Sequence, residues 1–352
     1  MKEKDGMDQI RVEKNGTPLR TSLNFYYGLI GSVILVLLLC VPLLGDNYVI
    51  DVGIQMFLLA YLGQSWNIMC GYTGQLSFGH AAFFGIGMYT SSLLFVNLGL
   101  TPWLGMLAGG CLALLVGVGL GSLSFRYRLK GVYFAFITMT FGEMMRLLCQ
   151  FWESLTKGAE GILLPWKGHH LLMFSFDVHK KYLYYYTILA MLIVCTFIAY
   201  RIKKMRLGYY LAAVRENEDA AEMLGIDGPK YKLIAIGISA FLTALGGTFH
   251  AQYYQHFEPE EAFGILRSFE IIFPVVIGGG GNIMGPPIGA FILRLFEEVT
   301  RAIMPPLMHG FHRMLYGTII VIMIMYLPAG LIHLIERGKD LLVERYKLRI
   351  GN

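Results

Sequence analysis

The chain has 352 residues, 55% of them apolar and only 15% charged, with a mean hydropathy of +0.55 and a formal net charge of +5. A soluble domain carries about 25% charged residues, so the composition excludes a soluble globular protein and describes one embedded in a bilayer. Nor does the cationic surplus describe a nucleic-acid binder, because the basic residues are spread over separate polar segments.

A hydrocarbon core about 30 Å thick takes roughly 20 mostly apolar residues per helix. In chain order the apolar stretches are residues 25–44, 49–69, 81–98, 103–123, 131–148, 182–200, 233–253, 268–281, 283–296 and 314–335, about ten transmembrane helices. Only helices and closed barrels satisfy the backbone inside lipid, and no alternating strand pattern runs through the chain. The expected fold is therefore an all-α polytopic membrane protein. The first stretch follows a polar tail and lacks a small-x-small cleavage site, so it reads as a retained span and not a signal peptide. This gives a tail at 1–24, a transmembrane domain at 25–335 and a second tail at 336–352.

Cation placement sets the orientation. With the N-terminus inside, the cytoplasmic pieces 1–24, 124–130, 201–232 and 336–352 hold 20 of the 29 Lys and Arg. The outer pieces 151–181, 254–267 and 297–313 hold 7, and Arg146 and Arg294 lie in spans. That asymmetry follows the positive-inside rule and places both termini in the cytoplasm. The cysteines, Cys40, Cys70, Cys111, Cys149 and Cys195, are odd in number, contain no CxxC pair and fall in apolar stretches. They read as buried packing, with neither a disulfide framework nor a metal site.

Two stretches are too rich in glycine for plain spans. One is Gly71-Tyr72-Thr73-Gly74-Gln75-Leu76-Ser77-Phe78-Gly79-His80, the other Gly278-Gly279-Gly280-Gly281-Asn282-Ile283-Met284-Gly285-Pro286-Pro287. Fourteen-residue segments flank the second break, and at about 1.5 Å per residue each reaches only roughly 21 Å. Broken helices at depth must face protein or a water-filled path. Gly71, Gly74, Gln75, Ser77, Gly79, His80, Gly280 and Asn282 are therefore expected to line a substrate path. The competing reading is close helix packing through small residues.

Of the ionisable residues inside spans, Glu143 and Arg146 share a helix face at i,i+3, as Arg294 does with Glu297 or Glu298. His80, His250 and Glu270 have no partner visible in the sequence. Such groups mark ion pathways by default, unless they neutralise one another within the bundle.

The longest organised polar segment is 201–232. Asn217 suits a helix N-cap, Glu218 and Asp219 place negative charge on the first turn, and Gly225 suits a left-handed C′ position. These signals bound a helix of about two turns over 218–224, after which Asp227-Gly228-Pro229 turns the chain back. So short a helix needs something to pack on, and Ala220, Ala221 and Leu224 offer small and apolar surface. The alternative is a solvated connector.

Four runs then carry a resemblance: Gly71 through Tyr89, Gly131 through Thr138, Arg215-Glu216-Asn217-Glu218-Asp219-Ala220-Ala221, and Gly285-Pro286-Pro287-Ile288-Gly289-Ala290. Together they resemble the LivM-type permease subunits of bacterial branched-chain amino-acid ABC importers, over nearly all of 25–335. The resemblance implies a multi-pass subunit of the bacterial inner membrane. Its partners would be a LivH-like second permease, two cytoplasmic ABC ATPases, and a periplasmic or lipid-anchored binding protein that delivers an amino acid. It also implies that Arg215, Glu216, Asp219, Ala220, Ala221 and Gly225 couple to an ATPase, since Asp219-Ala220-Ala221 with Gly225 is similar to the EAA-x3-G motif, with Asp for the leading Glu.

The chain contains no G-x-x-x-x-G-K-[ST] phosphate loop, HExxH run or Ser-His-Asp set. ATP and Mg would thus be used by partner subunits, with no cofactor bound by this chain and no enzyme activity of its own. Two alternatives stand beside this reading. One is a secondary transporter coupled to ions through Glu143, Arg146 or Glu270, and the other a permease of the same kind for urea or short amides.

Overall fold

A computed structural model describes residues 37–42, 46–165 and 181–303, with isolated positions between 317 and 333. Most of the expected spans at 25–44 and 314–335, and both tails, lie outside the described residues. The chain divides into two units, Met1–Ile50 and Asp51–Asn352. In the first, residues 37–42 and 47–50 are helical; the second contains the elements that matter here.

Helix α1 (Asn47–Trp66) runs into a π-helical turn at Asn67–Gly71 and then an irregular stretch. Helices α2 (His80–Leu98), α3 (Pro102–Arg126) and α4 (Val132–Phe151) follow, then a single turn, α5 (Glu153–Thr156). Helix α6 (Tyr182–Lys204) leads to the polar helices α7 (Arg206–Glu216) and α8 (Glu218–Met223). The long α9 (Gly228–Tyr254) precedes a short α10 (Pro259–Phe263) and the pair α11 (Ile265–Gly278) and α12 (Gly285–Ile303). Helices α2, α3, α4, α6 and α9 are long and apolar enough to cross a membrane. The only strands among the described residues form a two-residue antiparallel ladder, in which β1 (Ile162–Leu163) pairs with β2 (His256–Phe257).

Prolines and caps place the helix starts. Pro102 occupies the first turn of α3, and Pro229 the first turn of α9, where Asp227 accepts a hydrogen bond from the Lys230 amide at 3.1 Å. Helices α2, α3 and α9 form the core, and small residues let their backbones touch. A Cβ on Gly87 would lie 2.0 Å from the Ala244 carbonyl oxygen, and one on Gly247 the same distance from that of Phe84. The Thr248 hydroxyl donates to the Gly87 carbonyl at 3.1 Å, and the Tyr61 hydroxyl to that of Leu242 at 2.7 Å. Lipid tails supply no hydrophobic drive between helices, so such close contacts hold the bundle together. Leu104, Leu107, Leu115 and Leu123 of α3 point outward.

Loops meet at two opposite ends. At one, the α3–α4 turn, the α7–α8 segment and both glycine breaks contact each other. At the other lie the β1–β2 ladder, the Lys181–Asp51 ion pair and an Arg146–Glu260 contact of 3.1 Å.

Two expectations change. The segment after the second break is longer than fourteen residues: α12 has 19 residues, or about 28 Å of rise. It continues past Phe296 because Arg301 bridges back to Glu297 and Glu298 across i,i+4 and i,i+3. Cys70, Cys149 and Cys195 are buried free thiols, whereas Cys111 is exposed, on the outward side of α3.

Candidate functional site

The first break is held by its own polar atoms. After the π-helical turn, the Thr73 hydroxyl donates to the Met69 carbonyl at 2.8 Å, and the Trp66 indole donates to that of Ser77 at 2.9 Å, folding the loop onto α1. Ser239 of α9 donates to the Ser65 carbonyl at 2.7 Å, so its oxygen accepts from His80 Nε2 at 2.8 Å. In the neutral ring Nδ1 then accepts from the Ser77 hydroxyl at 3.1 Å. Ser77 and His80 are fully buried and their polar atoms are spent on this chain. Gly79 is buried where a Cβ would lie 2.3 Å from the Thr138 carbonyl oxygen. Gln75 is nearly buried, and its Oε1 has no partner among the described residues.

The second break, 279–284 between α11 and α12, abuts the first. Asn67 joins them: its Nδ2 donates to the Asn282 carbonyl at 2.9 Å, and its Oδ1 accepts from the Gly281 amide at 2.7 Å. Gly281 needs to be glycine twice over, having φ +80° and a Cβ position 2.4 Å from Arg215 Nη1. Gly71 is buried in the joint, while Gly74 and Gly280 are exposed and Asn282 is half-buried. The structure therefore brings all the predicted path residues to one region. It sorts them into a more accessible group (Gly74, Gly280 and the half-buried Asn282) and a buried support (Gly71, Gln75, Ser77, Gly79, His80).

The polar helices lie beside this joint. Asn217 caps α8, its side chain accepting from the Ala220 amide at 3.0 Å, and Gly225 takes φ +83° just past the end. Arg215 donates to the Gly71 carbonyl at 2.7 Å. Glu216 is exposed at the end of α7. Glu218 accepts from Lys232 at 2.5 Å and pairs with Lys130 at 2.8 Å; Arg128 pairs with Glu222 at 3.5 Å. A cleft of about 170 Å³ lies between the α3–α4 turn and α8. Burial raises the Glu218 carboxyl pKa, but the hydrogen bonds from Lys130 and Lys232 outweigh it and hold the value below the ordinary 4.5. Conversely, the hydrogen bond to Glu218 lifts Lys130 above its usual range. Ala221 is 2% exposed, packed against this chain. Met223 and Leu224 are 90% and 82% exposed, and with Ala220 and Asp219 they form the outward face.

The ionisable residues in spans have partners. Arg146 pairs with Glu143 as expected and also with Glu260. Arg294 reaches both Glu297 at 2.5 Å and Glu298 at 3.3 Å. Glu270, partnerless in the sequence reading, pairs with Arg267 at 2.8 Å, and His250 lies 3.3 Å from Glu261. No group of three or more His, Cys, Asp or Glu is placed to hold a metal among the described residues.

The sequence that builds this site is similar to known permease sequences. Residues 48–325 match the family described as the permease component of branched-chain amino acid transport systems. The chain belongs to this family. It is 28% identical over 319 residues to the high-affinity branched-chain amino acid transport system permease protein LivM of Escherichia coli, covering 85% of this chain and 73% of that protein. To LivH of the same organism it is 26% identical over 299 residues, 79% of this chain and 94% of LivH. A shorter match, 32% over 100 residues, reaches the ribose import permease protein RbsC of Haemophilus influenzae, covering 27% and 30% of the two chains. No solved structure matches the chain.

In this permease, sequence reasoning missed Asn67, Lys232 and Met223. The lone Asn in an apolar run was the available signal for Asn67, since a buried amide needs partners. The others depend on which face α8 turns inward.

Proposed function

We propose that the chain is the transmembrane permease subunit of an ATP-driven (ABC) importer of branched-chain or similar amino acids. It contributes half of the translocation path beside a LivH-like permease and docks a cytoplasmic ATPase. Both termini and residues 201–232 face the cytoplasm of a bacterial inner membrane. A periplasmic or lipid-anchored binding protein delivers the amino acid, and ATP and Mg are used by two ATPase subunits.

One observation carries the reading. Helix α8 is pinned on its inner side by Ala221 and ion pairs, presents Met223 and Leu224 outward, and lies at the same end as both helix breaks. Exposed apolar side chains on a rigid, polar-anchored helix suit a partner's groove. Gly74, Gly280 and Asn282 are the path surface, where backbone groups of the breaks can meet a polar solute, with the buried residues as their support. Family membership favours this over the ion-coupled reading, as do the ion pairs that neutralise Glu143, Arg146 and Glu270.

The test is reconstitution in vesicles with the second permease, the ATPases and the binding protein, followed by uptake of labelled leucine, isoleucine and valine. Uptake is expected only with ATP and all partners present. Uptake by this chain alone on an imposed proton or sodium gradient would overturn the reading in favour of a secondary transporter. Uptake of urea or short amides in place of amino acids would change the cargo and leave the mechanism.

A further inference from the structure

A single side chain joins the polar helices to both helix breaks. Arg215 occupies the last turn of α7, two residues before the cap of α8. Its Nη1 donates to the Gly71 carbonyl at 2.7 Å, at the C-terminal end of the π-helical turn. A cation there meets the negative end of the helix dipole as well as an otherwise open carbonyl. The stem of Arg215 lies over Gly74, where a Cβ would come within 3.1 Å of Cγ. The guanidinium occupies the space that a side chain on Gly281 would fill. Asn67 completes the link, tying the first break to Gly281 and Asn282 of the second by two hydrogen bonds. Lys203, at the end of α6, adds a 3.3 Å contact to the Gly281 carbonyl.

We propose that Arg215 and Asn67 form a clasp that transmits movement of the docking helices α7 and α8 to both helix breaks at once. The proposal rests on α8 docking an ATPase, as argued above. Arg215 is a positioning residue in this scheme, because it acts through the backbone of the breaks.

Three features suit the joint to transmission. Helix α8 is braced by Glu218 against Lys130 and Lys232, so it moves as a unit with the elements that hold it. The π-helical turn and the glycine run are departures from regular helix, where a hinge costs least. The connecting bonds are directional and short, so a displacement of an ångström or so breaks them or carries the breaks along. Coupling between distant sites needs such a contiguous physical link. Here it runs from the cap at Asn217 to Arg215, Gly71, Asn67 and Gly281.

The test uses the complete reconstituted complex and reads two quantities, ATP hydrolysis and amino-acid uptake, as a ratio. In Arg215→Ala, uptake per ATP hydrolysed should fall at least tenfold. Arg215→Lys, which can still reach the Gly71 carbonyl, should recover at least a third of the ratio. Asn67→Leu, which fills the site without hydrogen bonding, should lower the ratio as Arg215→Ala does. Should Arg215→Ala fail to assemble, Arg215→Gln is read in its place. A ratio within twofold of the parent in Arg215→Ala or its substitute overturns the clasp. Parallel loss of hydrolysis and uptake does the same, since it would make Arg215 a docking or folding contact only. Absence of ATP-driven uptake by the unaltered complex would instead count against the proposed function.

Discussion

If an ATPase grips the outward face of α8, replacing Met223 and Leu224 together by serine should weaken that grip without harming the fold. Both side chains are almost fully exposed in this chain, at 90% and 82%. Changes at such surface positions move stability by about 0.5 kcal/mol or less. Burying an aliphatic side chain of this size in a partner contributes about 1.5–3 kcal/mol. Part of that offsets side-chain ordering on association, leaving about 2 kcal/mol lost in the double variant, or about 30-fold in affinity. The assay titrates ATPase subunit against the reconstituted permease pair and follows stimulated ATP hydrolysis. Half-saturation should rise about 30-fold while the thermal unfolding midpoint of the permease stays unchanged. An unchanged half-saturation would refute the argument and make α8 a connector. Ala221→Trp is the contrasting variant. Ala221 faces inward, so a bulky residue there should overpack this chain and lower its own stability by about 1–3 kcal/mol.

Three further outcomes follow from the same structure. Gly247→Ala sets a Cβ 2.0 Å from the Phe84 carbonyl oxygen; the resulting separation of α2 and α9 should cost about 1–3 kcal/mol, measurable as a lower unfolding midpoint in detergent. Glu218 has a lowered pKa when folded, so its stabilisation is complete above the unfolded value and disappears as pH falls through the folded one. The difference in unfolding midpoint between the parent and Glu218→Gln should accordingly be constant above pH 4.5 and shrink below it. Single cysteines at Glu160 and Lys204 should label from opposite sides of intact cells, and labelling from one side would reverse the assigned topology.

The sequence by itself determined most of what local physics controls. Among the described residues, apolar length located α1, α2, α3, α4, α6 and α9, because hydrocarbon thickness sets a minimum that composition either meets or does not. The Asn217 cap and Gly225 bounded α8 to within a residue, since capping depends on neighbouring backbone groups. Glycine clustering located both breaks, and the i,i+3 spacings of Glu143 with Arg146 and of Arg294 with Glu297 anticipated their pairing. Tertiary structure decided which groups meet across long separations. Only the packing of α9 shows that the ring of His80 is spent on Ser239, and only the fold brings Asn67 to Gly281 and Arg215 to Gly71. Likewise, which of Ala220, Ala221, Met223 and Leu224 faces outward depends on the roll of a short helix, fixed by Lys130 of the α3–α4 turn and Lys232 of α9. Periodicity records that a helix has faces, and its neighbours decide where each one points.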